Sequence, residues 1–99
     1  MATIRVTPTI LRSKANELRD LNERFKSEVT GLTDSENRLA NMWEGEARNA
    51  FHAEYQKDAE KFNTFYTGIN QYIERLIAVA DAYDKAESEN LSVAQTRKS

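Results

Sequence analysis

Met42-Trp43-Glu44-Gly45-Glu46 is the stretch that decides how this chain folds. It holds the only tryptophan and lies close to the midpoint of 99 residues. On each side runs a long segment with apolar residues at seven-residue spacing, and the break between them has room only for a turn. Two amphipathic helices joined so closely become antiparallel neighbours, a helical hairpin. Gly45 suits the corner because glycine takes a positive φ or admits close backbone approach. Trp43 can cap the apolar seam with its ring body and keep its N–H near water or a carbonyl.

Upstream of the turn, Leu11, Leu18, Phe25, Leu32 and Leu39 form a wholly apolar row. The adjacent row, Ala15, Asn22, Val29, Glu36 and Trp43, is mixed. This pattern predicts a long amphipathic helix over about 8–41. Thr7 reads as its N-cap and Pro8 as its first residue, where a missing N–H costs nothing. Asp20–Arg24 and Asp34–Arg38 are spaced as supporting pairs on the flanks. Gly31 costs about 1 kcal/mol against alanine inside a helix, which predicts a softer stretch or a close helix approach. Ile4-Arg5-Val6 reads as a short lead-in.

Downstream, a second helix is expected over about 46–87, after a turn at about 42–45. Tyr55, Phe62, Ile69, Leu76 and Tyr83 form its seven-residue row. Phe51, Phe65, Tyr72 and Val79 lie along one side of that row, and Ala59, Tyr66, Ile73 and Ala80 along the other. One partner helix covers only part of so wide a face, and a long exposed apolar patch is uncommon on a soluble monomer. The expectation is a homodimer in which two hairpins form a four-helix bundle. Its core and dimer face would comprise Leu11, Leu18, Phe25, Leu32 and Leu39 with Phe51, Tyr55, Phe62, Phe65, Ile69 and Leu76. Beyond Glu87 the apolar pattern thins to Leu91 and Val93, and residues 88–99 read as a flexible tail.

Composition supports one all-α domain spanning 1–99. Charged residues make up 30 %, with Gly 3 and Pro 1. A net charge of −2 leaves no basic excess for phosphates, so nucleic acid is not an expected partner. Cysteine is absent, which removes disulfides, thiolate chemistry and cysteine-ligated metals together. The longest apolar run, Leu76-Ile77-Ala78-Val79-Ala80, is far too short to span a bilayer. The N-terminal residues carry no apolar core of signal-peptide length, so export by a cleaved general secretory signal is not expected.

Catalysis finds little to use. His52 is the only histidine and is expected on or beside the polar face, in water. Glu54 and Asp58 have helical spacing for a shared metal, but no histidine joins them in a Glu-x-x-His pattern. No phosphate loop, nucleophile elbow or zinc spacing is present. The chain is read as an interaction protein with no enzymatic activity, cofactor or metal.

Trp43-x-Gly45-x-Ala47, with Phe51 four residues on, resembles the signature of the WXG family of small secreted helical hairpins, substrates of type VII secretion. The similarity extends to total length, the Thr7-Pro8 start, and Tyr83-Asp84-Lys85-Ala86-Glu87, which matches the family's Tyr-x-x-x-Asp/Glu export signal. The resemblance implies a dimeric bundle folded in the cytoplasm and exported by a membrane ATPase of the FtsK/SpoIIIE type. Trp43 and Gly45 would then be the turn motif, and Tyr83 and Glu87 the C-terminal export signal. The implied role is secretion adaptor or virulence factor. Two other readings stay open: a membrane-active effector using the aromatic second helix, and a heterodimer subunit or chaperone-like partner of a larger toxin. If two hairpins pack antiparallel, the turn of each lies beside the C-terminal end of the other.

Overall fold

Thr7 begins the first helix in two ways. Its Oγ1 accepts from the Ile10 N–H at 3.2 Å, and its carbonyl accepts from the Leu11 N–H at 2.9 Å. Pro8 follows at the first helical position. In the computed structural model, residues 6–98 are described, with side chains to residue 94. The Ile4-Arg5 part of the expected lead-in lies outside the described residues. Helix α1 spans Pro8–Met42 and α2 spans Glu46–Lys98.

Between them Gly45 adopts φ +117°, a conformation that L side chains rarely take. Nothing lies within 4 Å of where its Cβ would stand, so the turn needs glycine for its dihedral and not for space. Trp43 caps α1 in extended conformation, its backbone N–H donating to the Ala40 carbonyl at 3.4 Å. The result is a rod 82 Å long and 26 Å by 21 Å across.

Contacts across the rod fix the antiparallel register. Arg12 binds Asp81 at 2.8 Å and Asp84 at 2.6 Å near the open end. Hydrogen bonds to Asp81 and then to Asp84 raise the guanidinium pKa above its ordinary value. Asn22 Nδ2 donates to the Tyr66 carbonyl and to Asn70 Oδ1, each at 3.0 Å. Nearer the turn, Thr33 and Tyr55 hydroxyls meet at 2.6 Å, and Glu36 meets His52 at 2.8 Å.

The mixed row of α1, not the apolar one, lines the seam. Its Ala15, Asn22 and Glu36 are buried, as is Ala40 one turn beyond Glu36, and α2 contributes buried Ile73 and Ala80. Small side chains at Ala15, Ala40 and Ala80 let the helices approach, and the bulky row is turned outward by about 60°, three residues at 100° each. Of the expected core and dimer face, Leu11, Leu18, Phe25, Tyr55, Phe62, Ile69 and Leu76 are half-buried. Leu32, Leu39, Phe51 and Phe65 stand exposed.

Four expectations change. The second helix does not give way to a tail at residue 88 but continues through Lys98. No glycine or proline follows Gly68, so no local signal stops it. His52 is not a free histidine in water: it remains partly exposed but reaches Glu36 across the seam. The expected flank pairs do not form as drawn: Arg38 Nε donates to the Asp34 carbonyl at 3.4 Å instead of its carboxylate. Among the described residues, no ion pair joins Asp20 to Arg24; the pairs within a helix are Lys14–Glu17 and Lys57–Glu54.

Gly31 marks no close approach, since a Cβ there would meet nothing within 4 Å. Gly31→Ala is therefore expected to stabilise the protein by about 1 kcal/mol. Chemical denaturation should show a higher midpoint with unchanged slope.

Candidate functional site

The outer surface of the hairpin is two-sided. On α1, Leu18, Leu21, Phe25, Leu32 and Leu39 fall on one side of the seam by their helical phase. On α2, Phe65, Ile69, Tyr72 and Val79 fall on the matching side, because antiparallel packing carries equivalent phases to the same face. Leu18, Leu21, Phe25, Phe65 and Ile69 indeed line one shallow groove of about 170 Å³, together with Asn22. Phe25 sits at its centre, edge-on to Phe65 at 5.2 Å and to Phe62 at 6.1 Å. The opposite edge is polar, where Lys26 lies 5.2 Å over the Tyr66 ring and the Tyr66 hydroxyl donates to Glu23.

At the closed end, Trp43 packs against Phe51 at 5.8 Å with the rings tilted by 50°. It remains 37 % exposed, an aromatic held in place yet open to solvent. The expected seam cap is thus a contact with one ring on the outer face. Around it Glu44, Gly45, Glu46, Arg48 and Asn49 line an open concavity with Ala40 and Asn41.

At the other end, Tyr83 is 50 % exposed, and with Ala86, Glu87 and Asn90 it lines a small surface depression. Tyr83 and Glu87 are one helical turn apart on the same face. Within one chain the motif pairs are not brought together. Tyr83 lies 37 residues past Glu46 on an unbroken helix, about 55 Å at 1.5 Å per residue.

Two features escaped sequence reading. One is the Glu36–His52 contact, in which a side chain only 3 % exposed meets an imidazole 41 % exposed. Gln56 Nε2 lies 3.2 Å from the other ring nitrogen, so both nitrogens of the ring are engaged. The other is the Arg12 clamp on Asp81 and Asp84. The presence of Asn22 and Glu36 on a row one step from the apolar one was the available signal for the first. The second had none.

Two long antiparallel helices, a Trp-x-Gly corner and one apolar outer face define a small helical-hairpin protein. The chain belongs to the WXG100 family, "Proteins of 100 residues with WXG", whose sequence profile matches residues 3–88. It is 24 % identical over 89 residues to type VII secretion system extracellular protein A of Staphylococcus aureus strain USA300, covering 90 % of this chain and 92 % of that protein. Its fold is similar to the crystal structure of the secreted protein EsxB from Bacillus anthracis strain Sterne, with TM-score 0.79 and 21 % identity. That superposition covers 88 % of this chain and 99 % of EsxB. A second EsxB crystal form gives TM-score 0.72 at 22 % identity, covering 83 % of this chain and 88 % of that one. Family and relatives make this a type VII secretion-associated protein. Among the described residues, no helix is long and apolar enough to cross a membrane.

Proposed function

We propose that this protein is an exported substrate and adaptor of a type VII secretion system, acting as a homodimer and handled by a membrane ATPase of the FtsK/SpoIIIE type. The observation that carries the reading is the family match over residues 3–88, which spans both the Trp43-x-Gly45 corner and Tyr83-x-x-x-Glu87. The Staphylococcus aureus relative, an extracellular protein of that system, supports an extracellular destination; folding in the cytoplasm before export is part of the same proposal.

The one-sided apolar face supports dimerisation. A strip two helices wide, from Leu18 and Ile69 toward Leu39 and Phe51, matches the shape of another such strip better than that of a single helix. Burying it would remove from water the large side chains that the lone hairpin leaves exposed. Two hairpins placed antiparallel bring Trp43 and Gly45 of one beside Tyr83 and Glu87 of the other, forming a composite docking site twice per dimer.

Cell fractionation with and without the membrane ATPase tests export. The protein should reach the medium only when the ATPase is present. Retention in both strains, or release in both, would remove the secretion reading. Light scattering of the purified chain at micromolar concentration should give twice the chain mass. A well-folded monomer would instead point to a heterodimer with another family member. Leakage of lipid vesicles at neutral or acidic pH would favour a membrane-active effector.

A further inference from the structure

The seam is not held in the same way along its length. Far from the turn, Ala15, Ile73 and Ala80 are buried and Leu18, Ile69 and Leu76 half-buried, so apolar burial adds to the Arg12 and Asn22 contacts. From Gly31 to the turn, α1 offers Thr33, Glu36 and Ala40, and α2 offers Tyr55, His52 and Arg48. The larger apolar side chains of this half, Leu32, Leu39 and Phe51, are exposed on the outer face. Ala40 is the only buried apolar residue it contributes, and the Thr33–Tyr55 and Glu36–His52 contacts carry the rest.

Local costs concentrate in the same place. Of the three buried side-chain polar atoms without a hydrogen-bond partner among the described residues, two, Glu36 Oε2 and Arg48 Nε, lie here, and the third is Asn22 Oδ1. The last stretch of α1 contains Gly31, Thr33, Asp34, Ser35, Asn37 and Asn41, all weak helix formers. No basic residue stands in its last turn to meet the helix dipole.

We infer that the turn-proximal half of the hairpin, residues 31–56, opens and closes as a separate folding unit whose latch is the contact of buried Glu36 with half-exposed His52. The shape of the Trp43–Gly45 corner depends on that latch. Without His52, both side-chain oxygens of buried Glu36 lack a partner, and separating the helices to admit water relieves this. The latch therefore governs opening, while the Ile73 end stays closed. A second copy seated on Leu32, Leu39 and Phe51 adds the burial this half lacks, so assembly and ordering of the corner are coupled. The consequence for export rests on the function proposed above; the opening itself does not.

Native-state hydrogen exchange on the full chain tests this, followed over a range of protein concentrations. At the lowest concentration, amides of residues 33–40 and 49–55 should be protected about 100-fold less than those of residues 69–77. His52→Ala should lower protection near the turn by a further factor of about 10 or more and leave residues 69–77 unchanged. The double variant Glu36→Leu/His52→Leu, with an apolar pair in place of the latch, should raise protection near the turn. Equal protection of the two halves in the unaltered protein would overturn the inference. So would a fall in both halves together in His52→Ala. Should the double variant fail to fold, the unaltered protein still decides between these outcomes. In cells, His52→Ala should be exported less than the unaltered protein although Tyr83 and Glu87 are intact. Undiminished export alongside the expected exchange would remove the link between latch and corner. Absence of export for the unaltered protein would instead count against the secretion reading and leave the exchange result standing.

Discussion

Glu87→Ala is expected to abolish secretion while the protein keeps its helicity and its dimer. Glu87 is exposed and makes no ion pair among the described residues, so its loss should change stability by no more than about 0.5 kcal/mol. Glu87 lies 11 residues before the end of α2 at Lys98, beyond the reach of the helix dipole, so it gains nothing there either. Folding therefore offers no reason for it, and recognition does. Glu87 lies 41 residues past Glu46, about 62 Å along the helix at 1.5 Å per residue, so any docking surface using both ends of the rod must combine two chains. Co-expression of a Trp43→Ala chain with a Glu87→Ala chain should restore part of the export, because a mixed dimer keeps one intact composite site. Quantitative immunoblots of medium and cells read the result. Failure of rescue, with mixed dimers shown to form, would exclude the single-site arrangement. Parallel packing of two hairpins in a crystal would remove its geometric basis.

Ile73→Ala should produce the largest loss of stability of any single seam substitution. Ile73 is 2 % exposed and is the largest fully buried side chain, set where the small residues of the seam draw the helices together. Truncation should cost about 2–5 kcal/mol from lost burial and the cavity left behind. In a chain of this size the melting temperature should fall by about 10 °C or more. Phe62→Ala should follow closely, since its ring meets Phe25 edge-on at 6.1 Å. Leu32→Ala provides the contrast. Leu32 is exposed in the hairpin, so its cost should arise mainly through the dimer and shrink as the protein is diluted. Equal, concentration-independent losses at Ile73 and Leu32 would mean that the apolar row, not the mixed one, lines the seam.

The corner was legible because its requirements are local. A glycine that must take φ +117° and a proline at a helix start announce themselves through their own backbone chemistry. The wide apolar face of α2 was legible as an excess over what one helix covers. His52 was misread because adjacent positions on a helix surface say nothing about what the opposite helix presents. Its partner, Glu36, lies 16 residues away across the turn. The length of α2 was misread because a thinning apolar pattern shows where packing ends, not where helical hydrogen bonding ends. Without glycine or proline the helix continues past its last apolar neighbour.

Sequence alone determined the two helices, the corner between them and the presence of more apolar surface than a hairpin can hide. Each follows from the periodicity or conformational limits of consecutive residues, so none required knowing a distant neighbour. Tertiary structure alone decided which of two adjacent rows of α1 turns inward. A rotation of about 60° separates them, and alanine-lined close approach, with Asn22 bonded to Tyr66 and Asn70, selected the mixed row over the bulkier one. That rotation also set Glu36 against His52 and left Leu32 and Leu39 to face outward. It is decided by side chains on both helices at once, and an isolated helix carries no record of its partner's shape.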